Sequence, residues 1–125
     1  MILKQEVILI HAKLIETYGG TQGIRDMGLL ESSLNRPFAT FDELDLYITP
    51  IEKAAALLES LLINHPFIDG NKRIAYTVAR LFLMSSGIDI QATINEKYDF
   101  IIQIAKGEIS IEQIKEWLTT HTYSL

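Results

Sequence analysis

Two apolar helical patterns on either side of a polar nine-residue run, residues 65–73, constrain the fold of this chain more than any other feature. The first opens at Thr49-Pro50-Ile51-Glu52, where a threonine cap, a proline at the first helical position and a glutamate placed to close a capping box coincide. Ala54, Ala55, Leu57, Leu58, Leu61 and Leu62 then leave little polar face, so the spacing predicts a central helix to about Asn64. The second pattern begins near Asp69 or Gly70 and runs through Leu81 and Met84 to Gly87. Helices apolar over most of their circumference need cover on several sides, so the pair predicts a buried helical hairpin at the centre of the fold.

The flanking segments can supply that cover. Val7, Ile8, Ile10, Leu14 and Ile15 recur at helical spacing between Gln5 and Tyr18, and Gly19-Gly20 is a permissive stop. Asp26 can cap a short helix carrying Leu29, Leu30 and Leu34, which Pro37 ends, because proline disfavours the α conformation in the residue before it. Phe38 to Ile48 mixes aromatics and acids without a period and reads as a loop, a flap or a marginal hairpin. Ile88 to Thr93 reads as a short extended piece, followed by a helix over Glu96 to Ala105 that Gly107 closes. Ser110 and Gln113 repeat the capping-box spacing before a last helix through Trp117. The expectation is an all-α fold: a compact single domain over residues 1–125, a bundle of about six helices around the central hairpin.

At 125 residues the chain can bury a core without disulfides or metals. The absence of cysteine removes a thiolate nucleophile, a disulfide framework and a cysteine-based zinc site. Lys4 and Glu6 fall where a signal peptide would need an apolar core, and the apolar runs break well before the roughly 20 residues of a membrane span. A soluble, cytoplasmic protein is expected. A formal charge of −5 argues against direct nucleic-acid binding, whose affinity comes largely from neutralising phosphates with Lys and Arg.

The run between the helices is His65-Pro66-Phe67-Ile68-Asp69-Gly70-Asn71-Lys72-Arg73. If Asp69 caps the second helix, the amides of Gly70, Asn71 and Lys72 point out of its first turn, where the helix dipole also favours an anion. Gly70 lets a phosphate approach the backbone, while Lys72 and Arg73 add a point charge and a planar fork of donors. Cations in an opening turn oppose the dipole, a conflict expected where function overrides stability. Asp69 could instead, or also, hold Mg²⁺, which is bound through one or two carboxylates plus substrate phosphates. His65 lies close enough to fold over the same anion, and an imidazole with a reference pKa of about 6.5 suits a general base for an incoming hydroxyl. Each residue singly has a structural reading as a turn, a cap or a solvated helix start; the nine together set a phosphate site level with that structural reading.

Elsewhere the residues read as structure. His11, on an apolar helical face, is a core or boundary histidine; His121 belongs to a fraying tail; for Arg25 and Asp26 a local ion pair or cap accounts for the residues as well as a catalytic task does. For Phe38, Phe41 and Tyr47, core packing is favoured over a target-binding flap.

The nine-residue run resembles the signature of the Fic/Doc superfamily, and its Asn71-Lys72-Arg73 ending resembles the Doc, or death-on-curing, toxin branch. Similarity extends through Ile10-His11 to Tyr18-Gly19-Gly20, Gly23-Ile24-Arg25-Asp26 with Gly28-Leu29-Leu30-Glu31, and Gly107-Glu108-Ile109-Ser110. The resemblance implies a Fic-like helical fold and transfer of a phosphate-containing group from a nucleotide to a protein hydroxyl. Members that attach AMP typically carry glycine in place of Lys72 and a second arginine in place of Tyr76, so these two departures disfavour AMP transfer. By this resemblance the γ-phosphate is presented, and the chain is a protein kinase acting on a threonine of elongation factor Tu, with translation arrest as the outcome. His65 would then activate the threonine hydroxyl, Asp69 position Mg²⁺, and Gly70, Asn71, Lys72 and Arg73 hold the phosphates of ATP. No Ser/Thr-x-x-x-Glu-Gly/Asn sequence occurs, so restraint is expected from a cognate, Phd-like antitoxin whose carboxy-terminal segment folds onto the toxin. AMP transfer and a catalytically idle binding module are the alternatives.

Overall fold

The computed structural model describes residues 1–125, most of them in six α-helices. In chain order these are α1 (Lys4–Tyr18), α2 (Met27–Asn35), α3 (Pro50–Asn64), α4 (Asn71–Ser85), α5 (Ile94–Ala105) and α6 (Ile111–Thr120). A 3₁₀ turn, Arg36–Phe38, and a small hairpin of β1 (Thr40–Phe41) and β2 (Leu44–Asp45) join α2 to α3. β3 (Ile88–Ile90) pairs antiparallel with β4 (Thr122–Ser124). The expected all-α fold is observed, and no helix is long and apolar enough to cross a membrane.

α3 is central because it is apolar nearly all round: Ala54, Ala55, Ala56, Leu57, Leu61 and Leu62 are completely buried, and α2, α4, α5, α6 and the 3₁₀ turn all pack on it. α4 turns Ile74, Ala75, Val78, Ala79 and Leu83 inward and completes the predicted hairpin. Phe100 and Ile104 of α5, with Ile114 and Leu118 of α6, extend the same core.

The helix starts follow their caps. Thr49 accepts from the Glu52 amide, Asp26 from the Leu29 amide at 2.9 Å, and Ser110 with Gln113 forms a full capping box. α5 begins two residues before the expected Glu96, because Thr93 and Glu96 form a second capping box that draws Ile94 and Asn95 into the helix.

The segment read as loop, flap or hairpin is a 3₁₀ turn followed by a hairpin. Arg36 anchors its root to α3 through Glu59 at 2.7 Å and Ser60 at 3.0 Å, while Lys53 donates to the carbonyls of Pro37 and Tyr47. Phe38 is half-buried edge-on to Phe82, and the half-buried Tyr47 hydroxyl accepts from Arg36. Core packing is wrong for Phe41, which is 76% exposed: a two-strand ribbon standing off the bundle has nothing to cover it.

The tail expected to fray is strand β4. His121 stacks on Trp117 at 4.0 Å and reaches Glu96 at 3.2 Å, and Thr122 donates its hydroxyl to the Leu118 carbonyl. The partner strand β3 is fixed by Asp89, which receives a two-pronged bond from Arg80 at 2.8 and 3.0 Å. That guanidinium holds the Asp89 carboxyl below the usual carboxylate range. A depressed folded-state value stabilises the fold at pH above the unfolded carboxyl's value, about 3.9. That contribution is lost as pH falls through the lower folded value. Asp89→Asn is expected to lower stability at neutral pH by about 1–2 kcal/mol, limited by the half-exposed Arg80. It should also flatten the acid limb of a thermal-unfolding series against pH.

Candidate active site

The site forms where α3 stops and α4 starts. α3 ends because His65 turns left-handed, φ 47 and ψ 61, with its amide donating to the Leu61 carbonyl. A non-glycine residue there stores strain of order 1 kcal/mol, which persists only where neighbours enforce it. Here the neighbour is the strand-like segment before α2. Arg25 donates from Nε to the His65 carbonyl at 2.7 Å and from Nη2 to the Asn64 carbonyl at 2.5 Å. The amides of Arg25 and Asp26 both donate to the Pro66 carbonyl, and Ile24 bridges to Phe67. Arg25 therefore clamps the end of α3 and makes no ion pair with Asp26, which caps α2 as expected.

At the start of α4, Gly70 is the N-cap residue, left-handed at φ 73, and no side chain caps the helix. The expected cap, Asp69, faces elsewhere: Oδ1 accepts from the Gly70 amide at 2.8 Å and Oδ2 from the Thr21 amide at 3.0 Å. The left-handed glycine turns the chain between Asp69 and the helix, so the carboxylate looks back toward the loop after α1 rather than forward onto the helix amides. Asn71 closes the turn instead, accepting from the Phe67 amide at 3.0 Å and donating to the Phe67 carbonyl at 2.9 Å. The amides of Asn71, Lys72 and Arg73 have no acceptor in the chain, whereas that of Gly70 is occupied, so the free donors lie one residue later than expected.

α1 underlies this loop with a stripe at helical spacing, His11, Ile15 and Tyr18. His11 is buried, its Nε2 lies 2.7 Å from the Asp69 carbonyl, and its ring stacks on Phe67 at 3.8 Å. A Cβ placed on Gly70 would come within 2.9 Å of Ile15, and one on Gly20 within 2.9 Å of the Asp69 carboxylate; with φ of 73 and 121 at the two positions, close approach and backbone conformation together favour glycine at both. The Arg73 guanidinium lies over the Tyr18 ring at 4.2 Å. His11 is buried as its apolar face implied, yet its bond goes to the signature loop; the i, i+4, i+7 alignment with Tyr18 was the available signal.

The Thr21 amide, and then the Gly70 amide, hold the Asp69 carboxyl below the usual carboxylate range, with a smaller pull from His11. Asp69 is therefore ionised at neutral pH. No cluster of three or more His, Cys, Asp or Glu could cage a metal. One carboxylate beside three acceptor-free amides and two cations is a donor set that fits Mg²⁺ arriving with a phosphate ligand, since that ion keeps several waters and needs few protein ligands.

One cavity of about 640 Å³ collects all of the sequence-predicted residues: His65, Asp69, Gly70, Asn71, Lys72 and Arg73. α5 also lines it, through Ile94, Lys97, Tyr98, Ile101 and Ile102, none of which the sequence singled out. Tyr76 lines it too, and its hydroxyl is buried without a partner. The arrangement suits an anion on three free amides and two cations, with an imidazole and a carboxylate at its edge.

A model of the Fic/DOC family matches residues 2–83. Over 99 residues, 78% of this chain and 76% of the relative, it is 37% identical to Toxin Doc of Mycolicibacterium smegmatis. With Protein kinase doc of Escherichia phage P1 the identity is 33% over 120 residues, 94% of this chain and 91% of the relative. A third likeness, to Protein adenylyltransferase fic-1 of Caenorhabditis elegans, is 48% over 46 residues, 37% of this chain and 9% of the relative. By the extent of the family match and an overlap of more than three quarters with each of two Doc proteins, the chain belongs to the Fic/DOC family.

Proposed function

We propose that the chain is a Doc-like toxin: a protein kinase that transfers the γ-phosphate of ATP to a threonine hydroxyl of a translation factor, elongation factor Tu, and so arrests translation. The observation that carries this reading is the meeting, in one cavity, of the His65 imidazole, the Asp69 carboxylate and three acceptor-free amides flanked by Lys72 and Arg73. His65 takes the proton from the threonine hydroxyl as it attacks. The amides of Asn71, Lys72 and Arg73, with the two cationic side chains and with Gly70 lining the same cavity, hold the phosphates. Phosphoryl transfer rests mainly on such positioning and charge stabilisation, so this small set suffices. Asp69 would hold Mg²⁺, which supplies charge neutralisation at the transferred phosphate when bound.

Two observations favour γ-phosphate transfer over AMP transfer. The relatives named as a Doc toxin and a Doc kinase overlap most of this chain, whereas the adenylyltransferase matches a short segment of it. Lys72 and Tyr76 also depart from the AMP-transferring pattern, and Tyr76 offers a hydroxyl where that pattern has a second guanidinium. The proposed partner is a cognate, Phd-like antitoxin whose carboxy-terminal segment restrains the toxin, and the proposed location is the cytoplasm. With Mg²⁺ and purified elongation factor Tu, γ-labelled ATP is expected to label the factor and α-labelled ATP to leave it unlabelled. Label from the α position alone would assign AMP transfer; growth arrest without either label would assign a binding module.

A further inference from the structure

We propose that His11 is a positioning residue of the transfer site, setting the aim of the Asp69 carboxylate and of the opening amides of α4 through the Asp69 carbonyl. The consequence for transfer rests on the function proposed above. A carbonyl oxygen can only accept, so the 2.7 Å contact requires a proton on Nε2 of His11. The bond grips the peptide that joins Asp69 to Gly70, the one place in the loop where glycine gives the backbone freedom on both sides of φ zero. Rotation of that peptide would withdraw the Gly70 amide from Oδ1 of Asp69, release the carboxylate from the Thr21 amide and misdirect the free amides of Asn71, Lys72 and Arg73.

His11 can impose this geometry because it is itself fixed. It is 3% exposed and lies flat on Phe67, at 3.8 Å and 11°. Phe67 is pinned in turn by the paired bonds of Asn71 and the bridge to Ile24. Packing alone does not account for the residue type, since phenylalanine would fill the place without burying a polar ring. The bond to the loop does account for it.

Two variants separate donor from ring. His11→Phe keeps the stack and removes the donor; His11→Gln returns an amide donor near the position of Nε2 without the ring. Two readouts apply: hydrogen exchange of the Thr21 and Gly70 amides in the protein without nucleotide, and calorimetric binding of ATP across a Mg²⁺ series. In His11→Phe both amides are expected to lose protection, and the Mg²⁺ needed for half-maximal binding to rise about 10-fold or more, as for other groups that orient metal-binding side chains. His11→Gln is expected to stay near the native protein in both. Native-like protection or an unchanged Mg²⁺ requirement in His11→Phe overturns the inference, as do equal losses in the two variants. If the native protein binds no nucleotide while amide protection still separates the variants, the proposed function fails and the positioning role stands.

Discussion

Replacing His65 with alanine is expected to reduce transfer of label from γ-labelled ATP by about 10²–10⁴-fold, the range over which a positioned acid–base group contributes. The fold should remain. The imidazole is exposed, lines the cavity and makes no side-chain bond, so its removal opens no void in the core. The backbone anchors of this residue, the Leu61 carbonyl below and Arg25 above, do not involve the ring. His65→Gly sharpens the test. Glycine adopts φ 47 without a Cβ penalty, so that variant should resist denaturant at least as well as the native protein while being equally inactive. Stability retained and activity lost would show a strained residue kept for its chemistry rather than for the turn. A His65→Ala protein that still transfers phosphate at the native rate would remove the imidazole from the mechanism.

Leu61→Ala is expected to have the largest effect on stability, about 3–5 kcal/mol by denaturant titration. Leu61 is completely buried in the helix on which most of the fold packs, one turn before the site. Deleting its side chain removes transfer free energy and leaves a cavity between α3 and its neighbours that rigid helices cannot fill. Set against a total stability of about 5–15 kcal/mol, the loss would bring the protein close to unfolding at physiological temperature. A change below about 1 kcal/mol would contradict the burial on which the central hairpin depends.

The helices were legible because their signals are local. Thr49-Pro50 and Ser110-Gln113 mark helix starts through bonds spanning three residues, and the run from Ala54 to Leu62 shows by its lack of a polar face that it lies inside. The same local reading failed at Asp69. A short acid before a helix reads as a cap, and only the left-handed turn at Gly70 sends the carboxylate to Thr21 instead. It failed again at His121, where a polar tail reads as frayed until β3 is brought alongside and Trp117 lies under the ring.

The sequence by itself determined the helical elements, the central hairpin and the polar nine-residue run between its helices, because period and caps act within a few positions along the chain. The tertiary structure alone decided what holds those nine in place. His11 meets the Asp69 carbonyl across 58 residues, Thr21 meets the carboxylate across 48, Arg25 clamps the His65 carbonyl across 40, and α5 supplies a cavity wall that no motif marked. Such contacts follow from which faces the bundle presses together, and that choice minimises exposed apolar surface over the whole chain, a quantity no short stretch of sequence contains.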